Sequence, residues 1–158
     1  MNHLPLIIPE MSVTGLALAI LLIDLWTPAA RKPWLGYLAA MGLGVILVIS
    51  FTNRITDNPA TAFGGQFICD GLSIFFKRYF IGAAILVVLM GIEYADRIPV
   101  GIAEFYALVL LALAGMMFAA SANDFILVFV SLELITITSY VLVSFQRGRL
   151  ASLEAGVK

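Results

Sequence analysis

Along the chain, five apolar stretches of near-membrane length alternate with short polar breaks. A helix rises 1.5 Å per residue, so crossing about 30 Å of hydrocarbon takes about 20 mostly apolar residues. The first stretch, 6–26, carries Glu10 and Asp24 near its two ends and stops at Thr27-Pro28. The second covers 34–51. The third covers 72–92, with Asp70 placed as an N-cap and with Lys77 and Arg78 about two turns inside, where long stems can snorkel outward. The fourth and fifth, 105–122 and 125–145, are joined by a polar turn around Asn123-Asp124, so short that the pair must be antiparallel.

Residues 52–71 are rich in Asn, Asp, Gly and Pro and lack a period, which predicts a surface loop; no soluble domain fits anywhere. The N-terminus lacks Lys and Arg and the first stretch is full length, so it reads as a retained span rather than a signal peptide. After Arg149, residues 150–158 are helix-prone, with Ser152 able to cap, and halt without a proline or a polar tail. The expectation is an all-α polytopic membrane protein: one membrane domain over 1–158, with five transmembrane helices and the start of a sixth in a truncated chain.

Composition sharpens this picture. Hydrophobic residues make up 62% of the 158 and charged residues 12%, against about 45–50% and about 25% in soluble domains. A net charge of -1 leaves no electrostatic footprint for nucleic acid. A lone cysteine, Cys69, and a lone histidine, His3, cannot by themselves build a disulfide, a metal site or a bis-histidine haem site. Basic residues gather on the cytoplasmic side of membranes. An outside N-terminus puts Arg31, Lys32, Arg97, Arg147, Arg149 and Lys158 inside, against Arg54, Lys77 and Arg78 outside, so that orientation is favoured.

Small residues supply close packing between membrane helices. Gly36, Ala40 and Gly44 recur every four residues in the second stretch, and Gly115 with Ala119 in the fourth; these read as packing seams. The scattered methionines and phenylalanines read as lipid-facing or core filler.

The candidate chemistry lies in one carboxylate. Glu133 falls eight residues after Phe125 and twelve before Phe145, roughly 12 Å and roughly 18 Å from the two ends, near the midplane. Helical spacing brings Thr136 and Tyr140 to nearly the same face, forming a polar stripe. A charge at the bilayer centre costs about 2.5–3.5 kcal/mol on insertion scales, so it has a partner or a task. Two readings stand: a carboxyl satisfied by a hydroxyl or kept protonated, or an ion or proton relay with a buried cation. Lys158 is a candidate cation, although periodicity alone equally allows a snorkelling lysine. Glu10 and Asp24 lie where water reaches and read as structural; Asp70, Glu104 and Asp124 read as caps at helix starts. Glu154 and Lys158 are spaced as an i,i+4 pair.

The run starting at Glu104 (EFYALVLLALAGMM), followed by Phe129 to Val143 (FVSLELITITSYVLV) and Ser152 to Lys158 (SLEAGVK), resembles a known family. It is similar to the subunit N family of the proton-pumping NADH-quinone oxidoreductase, respiratory complex I, whose antiporter-like membrane-arm subunits are related to those of multisubunit cation/proton antiporters. The likeness is most specific over Glu104 to Lys158; the first three spans agree in number and character more than in motif. It implies a subunit of about fourteen helices with two inverted five-helix repeats, of which this chain holds three leading helices and the start of the first repeat. It also implies that Glu133 is a fifth-helix glutamate tuning a buried lysine in a proton path, that Lys158 is a sixth-helix lysine, and that a broken seventh helix with its own lysine follows.

By the same resemblance, flavin, iron–sulfur clusters and quinone belong to other subunits and this chain binds no cofactor. Its partners are other membrane-arm subunits and the lipid bilayer, its location is the bacterial inner membrane with a periplasmic N-terminus, and it works as a non-redox part of a translocase. A subunit of a sodium/proton antiporter and a structural membrane scaffold are the competing readings.

Overall fold

The computed structural model describes residues 4–28, 34–52, 60–94 and 101–145, together with Ser152 and Glu154. Five helices are long and apolar enough to cross a membrane: α1 (Ile8–Trp26), α2 (Trp34–Thr52), α3 (Gly71–Tyr94), α4 (Ile102–Ala120) and α5 (Phe125–Val143). The chain is an all-α polytopic membrane protein, as its apolar lengths predict. Lys158 and the rest of the last segment, except Ser152 and Glu154, lie outside the described residues.

Local chemistry sets the ends of the helices. A proline in the first turn suits the start of α1, where the missing N–H is no loss. Thr27-Pro28 stops it, because the residue before a proline is driven out of helical geometry; Thr27 is extended there, with ψ 122°. Asp70 caps α3 as expected: its Oδ1 accepts from the Ser73 N–H at 2.8 Å, and its own N–H donates to Ser73 Oγ at 2.9 Å. That reciprocal pair satisfies donors the helix start would otherwise orphan. Helix α4 begins three residues earlier than the apolar pattern suggests, because Gly101 takes a left-handed conformation (φ 86°) that turns the chain into it. Glu104 lies in the first turn of α4 and Asp124 just before α5, but neither side chain makes a cap hydrogen bond.

The bonds from Ser73 hold the Asp70 carboxyl below the 3.8 of a free aspartate. A lowered carboxyl contributes stability that is present above its unfolded value and lost as pH falls through its folded one. Asp70→Ala is therefore expected to cost about 1 kcal/mol at neutral pH, with the difference from the parent shrinking below about pH 4. Parallel thermal melts across that range check this.

Helix α1 packs on α2 and α4, α3 packs on the same two, and α5 packs on α4. Helices α1 and α3 are thus diagonal members of a four-helix unit, with α5 attached to one side. The core runs down the axis of that unit, through Val13, Ala17, Ile20, Leu43, Ile81, Val88, Leu110, Leu113 and Met117, all fully buried. The two proposed seams fare differently. Gly115 lies under Ser131 and Ile135 of α5, and Gly36 under Ile92 and Tyr106. Gly44 touches nothing beyond its own helix, and Gly42, about half a turn off the expected line, meets Leu16 instead. The buried stripe of α2 is set by Leu35, Gly36, Ala39 and Leu43.

The segment predicted as featureless loop contains a small β-hairpin. Strand β1 (Ala60–Ala62) pairs antiparallel with β2 (Phe67–Cys69), matching Thr61 to Ile68. The link between them turns on Gly64 and Gly65, at φ 67° and 94°. The hairpin does not float free. The Ile68 N–H donates to the Ser121 carbonyl at 2.9 Å, and the Asn123 N–H donates to the Gln66 carbonyl at 2.8 Å. Asn123 Nδ2 reaches the Gly65 carbonyl at 2.8 Å. Strand β2 is therefore stitched to the α4–α5 turn and covers one end of the bundle.

Candidate functional site

Ionisable side chains that lie within the apolar spans mark two places of interest, one on α5 and one under the hairpin. Glu133 lies near the midpoint of α5, on a face that α4 does not cover, and its side chain is exposed. Tyr140 is exposed on the same helix, while Thr136 is half-buried and its hydroxyl donates to the Leu132 carbonyl at 2.7 Å. The side of α5 that meets α4 carries Ser131 and Thr138, both buried and bonded to carbonyls of their own helix. Around Glu133 the open face is apolar, with Phe129, Val130, Leu132 and Ile137 all exposed.

The second place lies under the hairpin, and it overturns two expectations. Lys77 does not snorkel outward: its ammonium is 2.7 Å from Glu10 Oε1, and the two side chains are 5% and 0% exposed. Glu10, expected where water reaches, is wholly enclosed. Arg78 runs toward the span end and finds protein there. Its guanidinium donates to the Ser50 carbonyl at 2.7 Å and lies 4.5 Å over the Phe51 ring, which ties it to the end of α2. The physical reason is topological. Helices α1 and α3 run in the same direction, so an acid in the first turn of one and a base two turns into the other meet at the same level, and pairing in the core is open to them.

Three further features complete this end. The Phe67 ring faces the Lys77 ammonium at 4.8 Å and is itself buried. Glu10 Oε2 has no hydrogen-bond partner among the described residues, nor does the hydroxyl of Ser121 at the end of α4. Below the pair, the fully buried Val13, Ile81 and Met117 form an apolar floor. Removing either partner would leave a buried charge uncompensated, so the pair makes Lys77 and Glu10 depend on each other.

Sequence reasoning singled out Glu133 from its depth and missed the Glu10–Lys77 pair. Depth was the available signal here as well: on parallel helices, an acid and a base lie close to ends that share one side of the membrane. What could not be read was which helices face each other.

No family model matches the chain. Curated relatives do. NADH-quinone oxidoreductase subunit N of Heliobacterium modesticaldum is 45% identical over 123 residues, 77% of this chain and 25% of that protein. NAD(P)H-quinone oxidoreductase subunit 2 of Nostoc sp. is 35% identical over 152 residues, 96% of this chain and 29% of that protein. Subunit N of Trichlorobacter lovleyi is 33% identical over 159 residues, 99% of this chain and 32% of that protein. The chain spans about a third or less of the length of the relatives it matches. Five membrane-length helices and this identity across most of its residues give one conclusion: the chain belongs to the NADH-quinone oxidoreductase subunit N and NAD(P)H-quinone oxidoreductase subunit 2 family of multi-pass membrane proteins.

Proposed function

We propose that this chain is part of a membrane-arm subunit that couples electron transfer from NADH to quinone to proton movement, with Glu133 as the carboxylate that tunes a buried lysine. One observation carries the reading: a carboxylate lies at the middle of a membrane helix, on a face of α5 that α4 leaves open among the described residues. A carboxylate turned to acyl chains would cost about 2.5–3.5 kcal/mol. In the longer subunit that face is therefore covered by protein bearing a cation, and Lys158 is the cation proposed from this chain. Thr136 and Tyr140 extend the polar stripe along α5.

The chemistry is electrostatic. While Glu133 is charged and close, it holds a proton on the lysine; when a charge rearrangement elsewhere in the complex withdraws that attraction, the lysine releases its proton. This chain performs no redox step in the reading. By the family likeness, flavin, iron–sulfur clusters and quinone are assigned to other subunits. Membrane-arm subunits and lipid are its neighbours, in a bacterial inner membrane with the N-terminus outside.

The test is Glu133→Gln in the full-length subunit within the assembled complex, reconstituted into vesicles. The expected result is normal assembly with protons translocated per NADH oxidised reduced by at least about half, since the carboxylate is needed for charge and its amide keeps the shape. Parental stoichiometry in a fully assembled variant would remove Glu133 from the proton path.

A further inference from the structure

The Glu10–Lys77 pair is costly for a simple tie. Two charges taken out of water lose hydration that their attraction only partly restores, and well-packed apolar residues often hold helices together as well or better. A carboxylate kept solely as a strut is expected to have both oxygens bonded. Glu10 has Oε1 against the Lys77 ammonium and Oε2 with no hydrogen-bond partner among the described residues, although its side chain is wholly buried. The oxygen is available, and access to it is one-sided. Val13, Ile81 and Met117 close the level beneath, while above it Phe67 lies on the hairpin, stitched by main-chain bonds to the α4–α5 turn.

We propose that Glu10 and Lys77 form a buried proton-binding site that exchanges with water only on the hairpin side, with Phe67 as its cover. A proton taken from that aqueous phase forms an O–H bond at Glu10 Oε2 and leaves the Lys77 ammonium in place. The pair goes from net charge zero to +1, and the reverse step returns the proton to the same side. Ser121, whose hydroxyl is also buried without a partner, ends α4 and so lies at the level where antiparallel α1 begins. The ionisable groups at this end are few. Asp70 and Arg78 belong to the head of α3, with Arg78 turned onto Ser50; Cys69 belongs to the hairpin and Asp124 to the head of α5. Among the described residues, α2 and α4 bring only the hydroxyls of Ser50, Thr52 and Ser121 to it. Dry packing below the pair makes it a store of charge facing one side, rather than a link in a through-path.

The experiment is an infrared pH titration of the assembled complex, comparing the parent with Glu10→Gln/Lys77→Met in the full-length subunit. The double substitution removes both charges together and so leaves neither buried alone. The parent is expected to gain a protonated-carboxyl C=O band on acidification that the double variant lacks. In deuterium oxide that band shifts slowly, and Phe67→Ala speeds its exchange about tenfold by loosening the cover. Glu10→Gln/Lys77→Gln provides the same subtraction with polar isosteres if the methionine variant assembles poorly. Titrations of parent and double variant that coincide wherever the complex stays assembled overturn the proposal and leave a permanently ionised tie. An exchange rate unaffected by Phe67→Ala overturns the assignment of the cover. The titration is made at equilibrium without turnover, so its failure leaves the Glu133 reading untouched, and failure of that reading leaves this one untouched.

Discussion

Lys77→Met, introduced alone into the full-length subunit, is expected to remove most of the assembled complex from the membrane. The substitution strands the Glu10 carboxylate in an apolar core, fully buried and with neither oxygen paired. Breaking a buried ion pair on one side costs about 3–5 kcal/mol, a large fraction of the stability of any domain. The effect also has a direction in space: the pair joins α1 and α3, the diagonal helices of the unit. Glu10→Gln/Lys77→Met should recover much of what the single variant loses, because no lone charge remains and a methionine fills the path of the lysine stem. Quantifying assembled complex by native electrophoresis for the two singles and the double gives the coupling directly. If Lys77→Met assembled at the parental level, a neutral Glu10 would be tolerated in the core and the pair would add nothing to assembly.

The second large effect is expected at Gly115. A Cβ built there would lie 2.8 Å from Ile135 Cγ1 and 3.2 Å from the Ser131 carbonyl oxygen. The side-chain tip can shift, but the carbonyl is backbone, so a branched residue must push α5 away. Gly115→Val is expected to cost about 1–3 kcal/mol by overpacking. It should also lower proton translocation, since α5 carries Glu133 and packs on α4. The control is Gly44→Ala. That position meets nothing within 4 Å, and alanine is the better helix former, so the variant should assemble at or slightly above the parental level. Melting temperatures of the three proteins, read beside translocation per turnover, check both statements.

These two sites show how far the sequence carried. Membrane crossings are legible because the bilayer imposes one length on every span, and all five stand within a few residues of their apolar runs. Gly115 was legible as a seam because α4 presents Gly115 and Ala119 on one line. Gly44 was misread, because spacing says which residues share a face and not which face meets a neighbour. The hairpin escaped for a different reason: strands of three residues are too short to show an alternating pattern. Lys77 and Arg78 were read one by one against lipid, where long stems escape to water. The structure gives each a partner far along the chain, Glu10 for one and Ser50 for the other. The stripe of Glu133, Thr136 and Tyr140 was drawn from helical angle alone, and the open face around it carries the exposed Phe129, Val130, Leu132 and Ile137.

The bonds from the hairpin, at Gln66 and Ile68, to residues Asn123 and Ser121 impose an order on biogenesis. The strand leaves the ribosome more than fifty residues before its acceptor does, so it must wait unpaired while α3 and α4 are threaded into the bilayer. Contacts between distant segments form late and slowly. Until the α4–α5 turn arrives, the acid and base beneath the strand remain open to water, and each can be hydrated while the helices find their places. Sealing that end is therefore the closing act of insertion, and a nascent chain arrested before Asn123 should still admit small polar reagents to Lys77.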